Sequence, residues 1–414
     1  MDDWNKMDDW NKIDDWRRIS NCPLNLMDEV EKDNRTPKKV YIHDSTLRDG
    51  EQFAGVVFNK DDKIKIGKAL SECGVHRIEL MPAVSDEDFE ATSALNSMNL
   101  SSDIVAFCRS VKGDIQKAAD SGCKAIELEI TAFPRLLRAL GWSFEDATSK
   151  IIDASHFAKE KGLRVTAFFM LITQAPLDFS EKFVKKVISE GEIDAVAIPD
   201  TMGTCLPQAI YHFVRRVKKW TDKPVEIHAH NSFNMGAAAA IAGVMGGAEV
   251  VHASVNGLGE GGGNAPLEAV VTDLELMLGI NSGIKLEKLY ELSLLVQDLS
   301  GIPVQANWPI VGGRVFDTES GIAVDAYWKM AISGLNVPMD KDISKIIGRS
   351  RQVVLGKMSG TTSIEVKMML LGLQKPEDEK VRQILEQVKK LSVELRRTLN
   401  DDEFKKIVSG VAGA

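Results

Sequence analysis

The sequence predicts an α/β protein, a closed (β/α)8 TIM barrel followed by a small, mostly helical C-terminal region. The first observation behind this prediction is that short apolar runs rich in β-branched residues alternate with amphipathic stretches from Val40 to about residue 280. The second is that eight such units fit within about 240 residues, close to the ~250 residues that such a barrel usually takes. A doubly wound open sheet is the alternative arrangement of the same units.

We expect a strand at each apolar run and a helix in the amphipathic stretch that follows it. The strands are predicted at residues 40–44, 75–80, 103–107, 125–130, 164–169, 195–199, 225–230 and 250–255. Beyond the barrel, residues 376 to about 397 carry an apolar stripe at helical spacing. Another helix follows, with Asn400 or Asp401 as its N-cap. We interpret both helices as packing elements.

The same patterns divide the chain into four parts. They are an N-terminal extension (1–38), a barrel domain (39–280), a linker subdomain (281–345) and a helical C-terminal subdomain (346–414). The extension contains a six-residue repeat with tryptophan at positions 4, 10 and 16. Because this spacing turns successive side chains about 120° around a helix, we interpret the repeat as a low-complexity segment rather than a structural one.

The composition excludes several classes of partner. Lys and Arg number 51 against 60 Asp and Glu, and the net charge of −9 offers no electrostatic reason to expect nucleic acid or an anionic membrane. No stretch approaches the ~20 apolar residues that cross a bilayer, and the N-terminus is acidic rather than signal-like. The five cysteines lack paired spacing. We therefore expect a cytoplasmic protein with reduced thiols.

The carboxyl ends of barrel strands are the places to look for chemistry, because the βα loops meet there. The first predicted strand runs into residues 44–52, which read DSTLRDGEQ and hold two aspartates, an arginine, a glutamate and a glutamine. This density of ionisable side chains directly after a buried strand predicts a site. A charged surface loop is the alternative interpretation.

The seventh strand adds a pair of histidines, His228 and His230. Strand alternation puts both on the same face, so both imidazoles can reach one ion. This favours a metal site over a pair of histidines that are simply satisfied within the core.

After the eighth strand, residues 256–264 are rich in glycine but lack the spacing of a dinucleotide-binding loop. That loop is expected either to bring backbone and an asparagine close to a ligand or to act as a flexible lid. Oxygen and nitrogen ligands without thiolates suit hard or borderline divalent cations.

With these motifs in order, the chain resembles the metallolyase-type TIM-barrel family. That family includes isopropylmalate, homocitrate, Re-type citrate and citramalate synthases and, more distantly, hydroxymethylglutaryl-CoA lyase. The resemblance covers residues 39 to about 410 and rests on ordered motifs, namely 44–52, 200–203 (DTMG), 228–231 (HAHN), 257–264, 319–322 (ESGI) and 356–360 (GKMSG).

The resemblance implies a divalent-metal-dependent acyltransferase that condenses an acyl-CoA with a 2-oxo acid, and acetyl-CoA is the acyl donor that we expect. It also implies a homodimer and a metal that is Mg, Mn or Zn. The implied roles are metal ligation by Asp49, His228, His230 and Asn264, catalysis by Arg48 and Glu79, and substrate binding by Gln52 and Thr201. A metal that polarises the oxo-acid carbonyl, with Arg48 offsetting the charge that grows on its oxygen, is consistent with this chemistry.

The chain also departs from the family pattern. Thr318 and Ala323 stand where condensing members carry histidine in the linker motif, and Met358 replaces the histidine of their GKHSG loop. Histidine is a common general acid or base near neutrality, so its loss at these positions implies either another proton-transfer group or different chemistry. The candidates are Asp317, Glu319, Tyr327 and Glu79.

Strand five departs as well, because residues 168–171 (FFML) replace the acidic residues that help relatives select the oxo acid. Alternation sends either Phe168 with Met170 or Phe169 with Leu171 into the site. We therefore expect a condensing enzyme with an altered substrate. The alternatives are a metal-dependent carbon–carbon lyase or aldolase, although the lyase's cysteine in the glycine-rich loop is missing, and an inactive ligand-binding or regulatory paralogue.

Overall fold

The structure is a computed structural model, and it describes residues 23–32, 34–333 and 343–412. Eight parallel strands close into a barrel in sequence order, which confirms the predicted fold class. Closure is made by the first and last strands, whose register pairs Tyr41 with Val250 and Asp44 with Ala253. The chain forms two compact units, one spanning Asn21–Val304 and the other containing Gln305–Ala414.

All eight predicted strands are present, with bounds that differ from the prediction by at most one or two residues, as strand ends commonly do. Their bounds are β1 Tyr41–Asp44, β2 Arg77–Leu80, β3 Asp103–Arg109, β4 Ala125–Thr131, β5 Arg164–Met170, β6 Ala195–Asp200, β7 Val225–Ala229 and β8 Val250–Ala253. Aliphatic side chains on both faces of these strands are buried, as the continuous apolar runs require when helices cover the outside of a parallel barrel.

The helices of the barrel unit alternate with its strands. They are α1 Asp28–Glu31, α2 Lys60–Cys73, α3 Asp86–Ser97, α4 Lys112–Asp120, α5 Pro134–Ala139, α6 Phe144–Glu160, α7 Leu177–Glu190, α8 Pro207–Trp220, α9 Gly236–Met245, α10 Leu267–Thr272 and α11 Leu289–Ser300. Several begin at strong N-caps; Asn59, for example, accepts the backbone N–H of Asp62 at 2.9 Å and so stabilises the start of α2.

The second compact unit contains a two-stranded parallel sheet, β9 Asp317–Thr318 and β10 Gln352–Val353. Its helices are α12 Gly321–Ile332, α13 Ile343–Ile346, α14 Thr361–Leu370, α15 Asp378–Leu395 and α16 Asp401–Ala412. The predicted stripe of α15 is buried in a cluster that also contains Phe404 of α16. Asn400 accepts the Glu403 N–H at 2.9 Å, which confirms it as the N-cap of α16.

The expectations for the N-terminal repeat, the domain boundaries, membrane spans and cysteines differ in how far the structure tests them. The repeat that contains Trp4, Trp10 and Trp16 lies outside the described residues, and the four domain boundaries stay a prediction. The barrel unit extends through α11 to Val304. Within the described ranges, the helices are all too short or too polar to span a bilayer. Four cysteines, Cys73, Cys108, Cys123 and Cys205, are free thiols.

Candidate active site

The loop after β1 turns back over the carboxyl end of the barrel. Asp44 accepts the Thr46 N–H at 2.9 Å and the Thr46 hydroxyl at 3.0 Å, which is the local bonding that lets an aspartate nucleate a turn. The Ser45 carbonyl then accepts the N–H groups of Arg48 at 3.1 Å and Asp49 at 2.8 Å. This tight turn buries the side chains of Arg48 and Asp49 at the end of the barrel.

A buried lysine anchors the same loop from the side of the helices. Lys63 of α2 pairs with Glu51 at 2.5 Å and with Asp88 of α3. Glu51 also accepts the Phe58 N–H at 2.8 Å. A lysine that is only 2 % exposed needs such paired carboxylates. Glu51 of the charged motif therefore holds the loop in place, whereas Arg48 and Asp49 point toward the barrel.

The structure brings three of the predicted metal ligands together. Nε2 of His228 lies 3.2 Å from Oδ2 of Asp49, and Nε2 of His230 lies 3.7 Å from the same oxygen. The three side chains offer ligand atoms that all lie within 4.8 Å of one another, and all three are buried. His228 is in β7 and His230 directly follows it, so the predicted same-face arrangement places both imidazoles beside the β1 loop.

The protonation states of these groups suit a cation. Burial lowers the pKa of His228, and burial with the nearby His228 lowers the pKa of His230 to about 4. Burial opposes ionisation of Asp49, but Arg48 and the histidines outweigh it and hold the pKa of Asp49 well below its usual range. At neutral pH the cluster therefore presents two neutral imidazoles and a carboxylate, which are the forms that bind metals.

Unsatisfied buried atoms support the same interpretation. Within the described part of the chain, both carboxylate oxygens of Asp49 and both ring nitrogens of His228 are buried without a hydrogen-bond partner. Leaving such atoms unpaired is costly, and native proteins rarely do so without a ligand, ion or water. The residues present therefore fit a divalent metal.

The glycine-rich loop after β8 brings Asn264 beside the histidines. Asn264 forms an isolated antiparallel bridge with His230, and its Oδ1 atom is buried without a partner among the described residues. A Cβ at Gly263, where φ is +84°, would lie 2.0 Å from the Gly257 carbonyl oxygen. The Asn231 N–H also donates to the Gly263 carbonyl at 2.7 Å. The loop is thus closely packed and supports Asn264. This favours the interpretation that the loop brings its backbone and an asparagine close to a ligand, rather than acting as a flexible lid.

Arg48 and Glu79 form the other half of the site. Nε of Arg48 lies 3.1 Å from Oε2 of Glu79, and Nη1 lies 3.4 Å from Oδ2 of Asp49. The guanidinium also stacks 4.1 Å from the centre of the Phe107 ring. Burial opposes ionisation of Glu79, but Arg48 and His43 outweigh it and lower its pKa to about 2. Glu79 is therefore ionised and well placed to orient Arg48.

Strand five resolves the alternation that the sequence left open. Phe168 faces the barrel interior, where its ring centroid lies 5.3 Å from that of Phe107 and 5.4 Å from that of His228. Phe169 points outward and packs on Phe183 of α7 at 5.7 Å. Phe168 with Met170 is therefore the inward pair. Phe107, Phe168 and the partly buried Met81 make this side of the site apolar.

The two predicted substrate-binding residues differ in their surroundings. Thr201 directly follows β6, and its hydroxyl accepts the Leu171 N–H at 3.0 Å. Gln52 ends the short 3-10 turn Gly50–Gln52 and is exposed, so its side chain is not part of the buried cluster. Both roles stay predictions.

Three of the positions that depart from the family pattern, Thr318, Ala323 and Met358, lie in the second compact unit. Thr318 is in β9, and Ala323 is in the first turn of α12, where its N–H donates to the Ser320 side chain. The Met358 N–H donates to Glu319 at 2.9 Å. Of the four candidates for proton transfer, only Glu79 belongs to the barrel unit.

A second group of ionisable side chains, which the sequence analysis missed, lies inside the barrel. It consists of His43, Glu127, Glu226 and His252, and all four are buried. Each belongs to an apolar strand, respectively β1, β4, β7 and β8. Charged or titratable residues within continuous apolar strands were the available signal, because such residues are rarely buried unless they are paired.

Comparisons with known proteins identify the family to which the chain belongs. The HMGL-like family model matches residues 39–296. The chain is similar to the 2-isopropylmalate synthase of Methanocaldococcus jannaschii, at 36 % identity over 382 residues that cover 91 % of this chain and 72 % of that protein. It is also similar to the homocitrate synthase AksA of Methanothermobacter thermautotrophicus, at 34 % identity over 385 residues that cover 92 % and 96 %. The crystal structure of the Bacillus subtilis HMG-CoA lyase shares the fold, with a TM-score of 0.58 at 20 % identity over 65 % of this chain and 96 % of that one.

Proposed function

This chain belongs to the HMGL-like family, and from that premise we propose that it is a divalent-metal-dependent acyltransferase that condenses an acyl-CoA with a 2-oxo acid. Its curated relatives named 2-isopropylmalate synthase and homocitrate synthase support this reaction class, since they align with about nine-tenths of the chain. The observation that carries the proposal is the buried cluster of Asp49, His228 and His230 beside Arg48.

Asp49, His228, His230 and Asn264 are the residues that hold the metal in this proposal. When bound, Mg, Mn or Zn supplies Lewis-acid polarisation of the oxo-acid carbonyl. Arg48 donates hydrogen bonds toward the carbonyl oxygen, where negative charge develops. Glu79 and the Phe107 ring fix the orientation of the guanidinium, so that little reorganisation is needed during the reaction. Thr201 holds the substrate carboxylate, and Gln52 contacts the substrate from the rim.

The proposed reaction balances without an oxidant. A base takes a proton from the carbon next to the thioester carbonyl, and that carbon forms a bond with the carbonyl carbon of the oxo acid. The carbonyl oxygen receives the displaced electron pair and takes up a proton, so that it becomes the hydroxyl group of the product. Water then hydrolyses the thioester and releases the CoA thiol, so the acyl group becomes an alkyl group of the product. Glu79 is ionised and bound to Arg48, which makes it a weak base and an orienting group. Asp317, Glu319 and Tyr327 stay the candidates for the base.

The finer properties of the enzyme are part of the same proposal. We expect a homodimer in the cytoplasm, which is consistent with the acidic net charge of −9 and with the scarcity of cysteine. Its partners are the two small-molecule substrates, acyl-CoA and a 2-oxo acid. Neither nucleic acid nor a membrane is expected to bind.

The test is a condensation assay on the purified full chain. The protein is incubated with acetyl-CoA, Mg²⁺, Mn²⁺ or Zn²⁺ and a panel of 2-oxo acids, while free thiol and product mass are measured. We expect thiol release that depends on one oxo acid, and a product heavier than that acid by one acetic acid. No release across the panel would contradict the proposal. A protein that contains no metal and gains no thermal stability from Mn²⁺ would instead indicate a binding or regulatory paralogue.

A substitution in strand five tests which substrate the site accepts. Met170 is on the inward face with Phe168, so Met170→Glu adds an unpaired carboxylate to an apolar wall. We expect activity on the best oxo acid of the panel to fall at least about tenfold, because apolar contact is lost, and preference to shift toward small acids such as pyruvate. Steady-state kinetics on both substrates measure the change.

The matched control for this substitution is Met277→Glu, because Met277 is half exposed on the same compact unit. It should leave both activities within about twofold, as surface substitutions usually do. Melting temperatures are measured for both variants, so that unfolding can be separated from altered selectivity. A folded Met170→Glu protein with unchanged preference would show that this position does not select the substrate.

A further inference from the structure

The interior cluster brings together two imidazoles and two carboxylates from four strands. His43 and His252 come from the neighbouring strands β1 and β8, with their rings stacked at 4.2 Å between centroids. Glu226 comes from β7 and Glu127 from β4. Each of the four is at most 1 % exposed, and their ligand atoms lie within 4.8 Å of one another. They surround a point that is enclosed by the barrel.

The distances within this cluster match a small tetrahedral site. Nε2 of His252 forms a hydrogen bond with Oε2 of Glu226 at 2.9 Å and lies 3.3 Å from Oε1 of Glu127. Nδ1 of His43 lies 3.6 Å from the same Glu127 oxygen. Four nitrogen or oxygen ligands at the usual 2.0–2.2 Å from a tetrahedral zinc ion are separated by about 3.3–3.6 Å from one another. The three measured separations span this range and the other pairs lie within 4.8 Å, so small shifts of the side chains would let the four atoms hold one ion.

Outer contacts already orient several of these side chains. Arg77 donates to Oε1 of Glu226 at 2.8 Å, and the Thr166 hydroxyl donates to the same oxygen at 3.3 Å, which directs Oε2 toward the cluster. On the other side, Nε2 of His43 faces Oε2 of Glu79 at 3.8 Å and leaves Nδ1 directed at Glu127. Carboxylates and hydrogen bonds behind the ligands are typical of metal sites.

The cluster contains polar atoms that the described residues leave unsatisfied. Both ring nitrogens of His43 and both oxygens of Glu127 are buried without a hydrogen-bond partner. Three carboxylates, Glu79, Glu127 and Glu226, share the region with the guanidinium groups of Arg48 and Arg77. Arg48 pairs with Glu79 and Arg77 pairs with Glu226, whereas Glu127 faces only the rings of His43 and His252 at ion-pair distance among the described residues.

We propose that His43, Glu127, Glu226 and His252 form a second metal site, which holds one divalent cation of the zinc type in tetrahedral coordination. Imidazole and carboxylate without thiolate suit Zn²⁺ or Co²⁺. The four protein ligands leave no open position, so the ion is structural, and its burial means that it enters while the barrel folds. This site is distinct from the one formed by Asp49, His228 and His230, and it shares no ligand with it.

The test measures metal stoichiometry after refolding. The full chain is unfolded in guanidinium chloride with a chelator, refolded with Zn²⁺, desalted and analysed for zinc per chain. We expect two equivalents in the wild type, one in His228→Ala, one in Glu127→Gln and none in the double variant. Glu129→Gln is the matched control, because Glu129 is also in β4 but outside the cluster, and it should retain two.

A stability measurement separates the two sites. In the His228→Ala background only the interior site is intact, and Zn²⁺ should raise the melting temperature by about 5 °C or more. Addition of Glu127→Gln should abolish that increase. If Glu127→Gln does not fold, the visible spectrum of Co²⁺-refolded His228→Ala decides the question, because a tetrahedral ion gives intense bands and a six-coordinate ion does not.

The outcomes are distinct from those of the acyltransferase assay. One equivalent that is fully lost in His228→Ala would overturn the second site and indicate that a proton on Glu127 satisfies the interior cluster instead. One equivalent that survives His228→Ala but is lost in Glu127→Gln would support the interior site even if the proposed catalytic metal is absent. An inactive protein with two equivalents would contradict the acyltransferase alone.

Discussion

His228→Ala is expected to remove the metal at the end of the barrel and to lower kcat/KM by more than about 100-fold. Loss of a supporting contact behind a metal ligand already costs 10–100-fold in affinity or activity, and loss of the ligand itself should cost more. His230→Ala should act in the same direction, because both imidazoles face one oxygen of Asp49 at 3.2 and 3.7 Å. Zinc per chain and steady-state kinetics are the measurements.

A matched control keeps this prediction specific to the site. His212→Ala removes an exposed histidine from α8 and should leave metal content and activity unchanged. Circular dichroism should find the barrel folded in all three variants, because His228 and His230 lie at the carboxyl end of β7, where barrels of this fold carry their sites rather than their stabilising residues. Near-normal activity in both His228→Ala and His230→Ala would disprove the metal model.

Arg48→Lys is expected to lower kcat/KM by about 100- to 1,000-fold, which is the range for loss of a preorganised donor to a developing oxyanion. Arg48 contacts Glu79 through Nε and Asp49 through Nη1, while its planar face stacks on Phe107. A lysine ammonium retains the charge, but it cannot reproduce two directed contacts and a stacked plane. The measurement is kcat/KM for thiol release at saturating metal.

Lysine is preferred to alanine here because Arg48 also neutralises buried carboxylates. Arg48→Ala leaves Asp49 and Glu79 without this partner and should cost about 3–5 kcal/mol of unfolding free energy. The control is Arg109→Lys, since Arg109 pairs with Asp114 at a largely exposed position and such pairs contribute little. An Arg48→Lys loss below tenfold, or about 1.4 kcal/mol, would mean that Arg48 is peripheral to the reaction.

Much of the barrel was predictable because its signals are local. Apolar runs, N-caps and amphipathic stripes reflect interactions between residues close in the chain. All eight strands were predicted from them, and so was a cap at Asn400 or Asp401, of which the structure selects Asn400. The candidate metal site was partly predictable for a related reason. Parallel barrel strands end at the same edge, so residues that follow different strands could be assigned to one site before any contact was known.

The alternatives that the sequence left open could be decided only by contacts with residues that are distant in the chain. Both Phe168 and Phe169 are apolar and fully compatible with either face of β5. Only the packing of Phe169 on Phe183 of α7, with Phe168 beside Phe107, distinguishes the inward residue. Likewise, Glu51 and Arg48 belong to one charged motif, and the buried Lys63 determines that Glu51 anchors the loop.

By itself, the sequence determined the barrel, the family motifs and the set of residues around one end, because strand alternation and turn chemistry operate over a few residues. Tertiary structure alone decided which buried groups face one another across the interior. His43 and Glu127 are far apart in the chain, on strands that are not neighbours in the barrel, yet closure brings them within 3.6 Å. Barrel closure and strand stagger determine that distance, and neither is encoded in the spacing of any single motif.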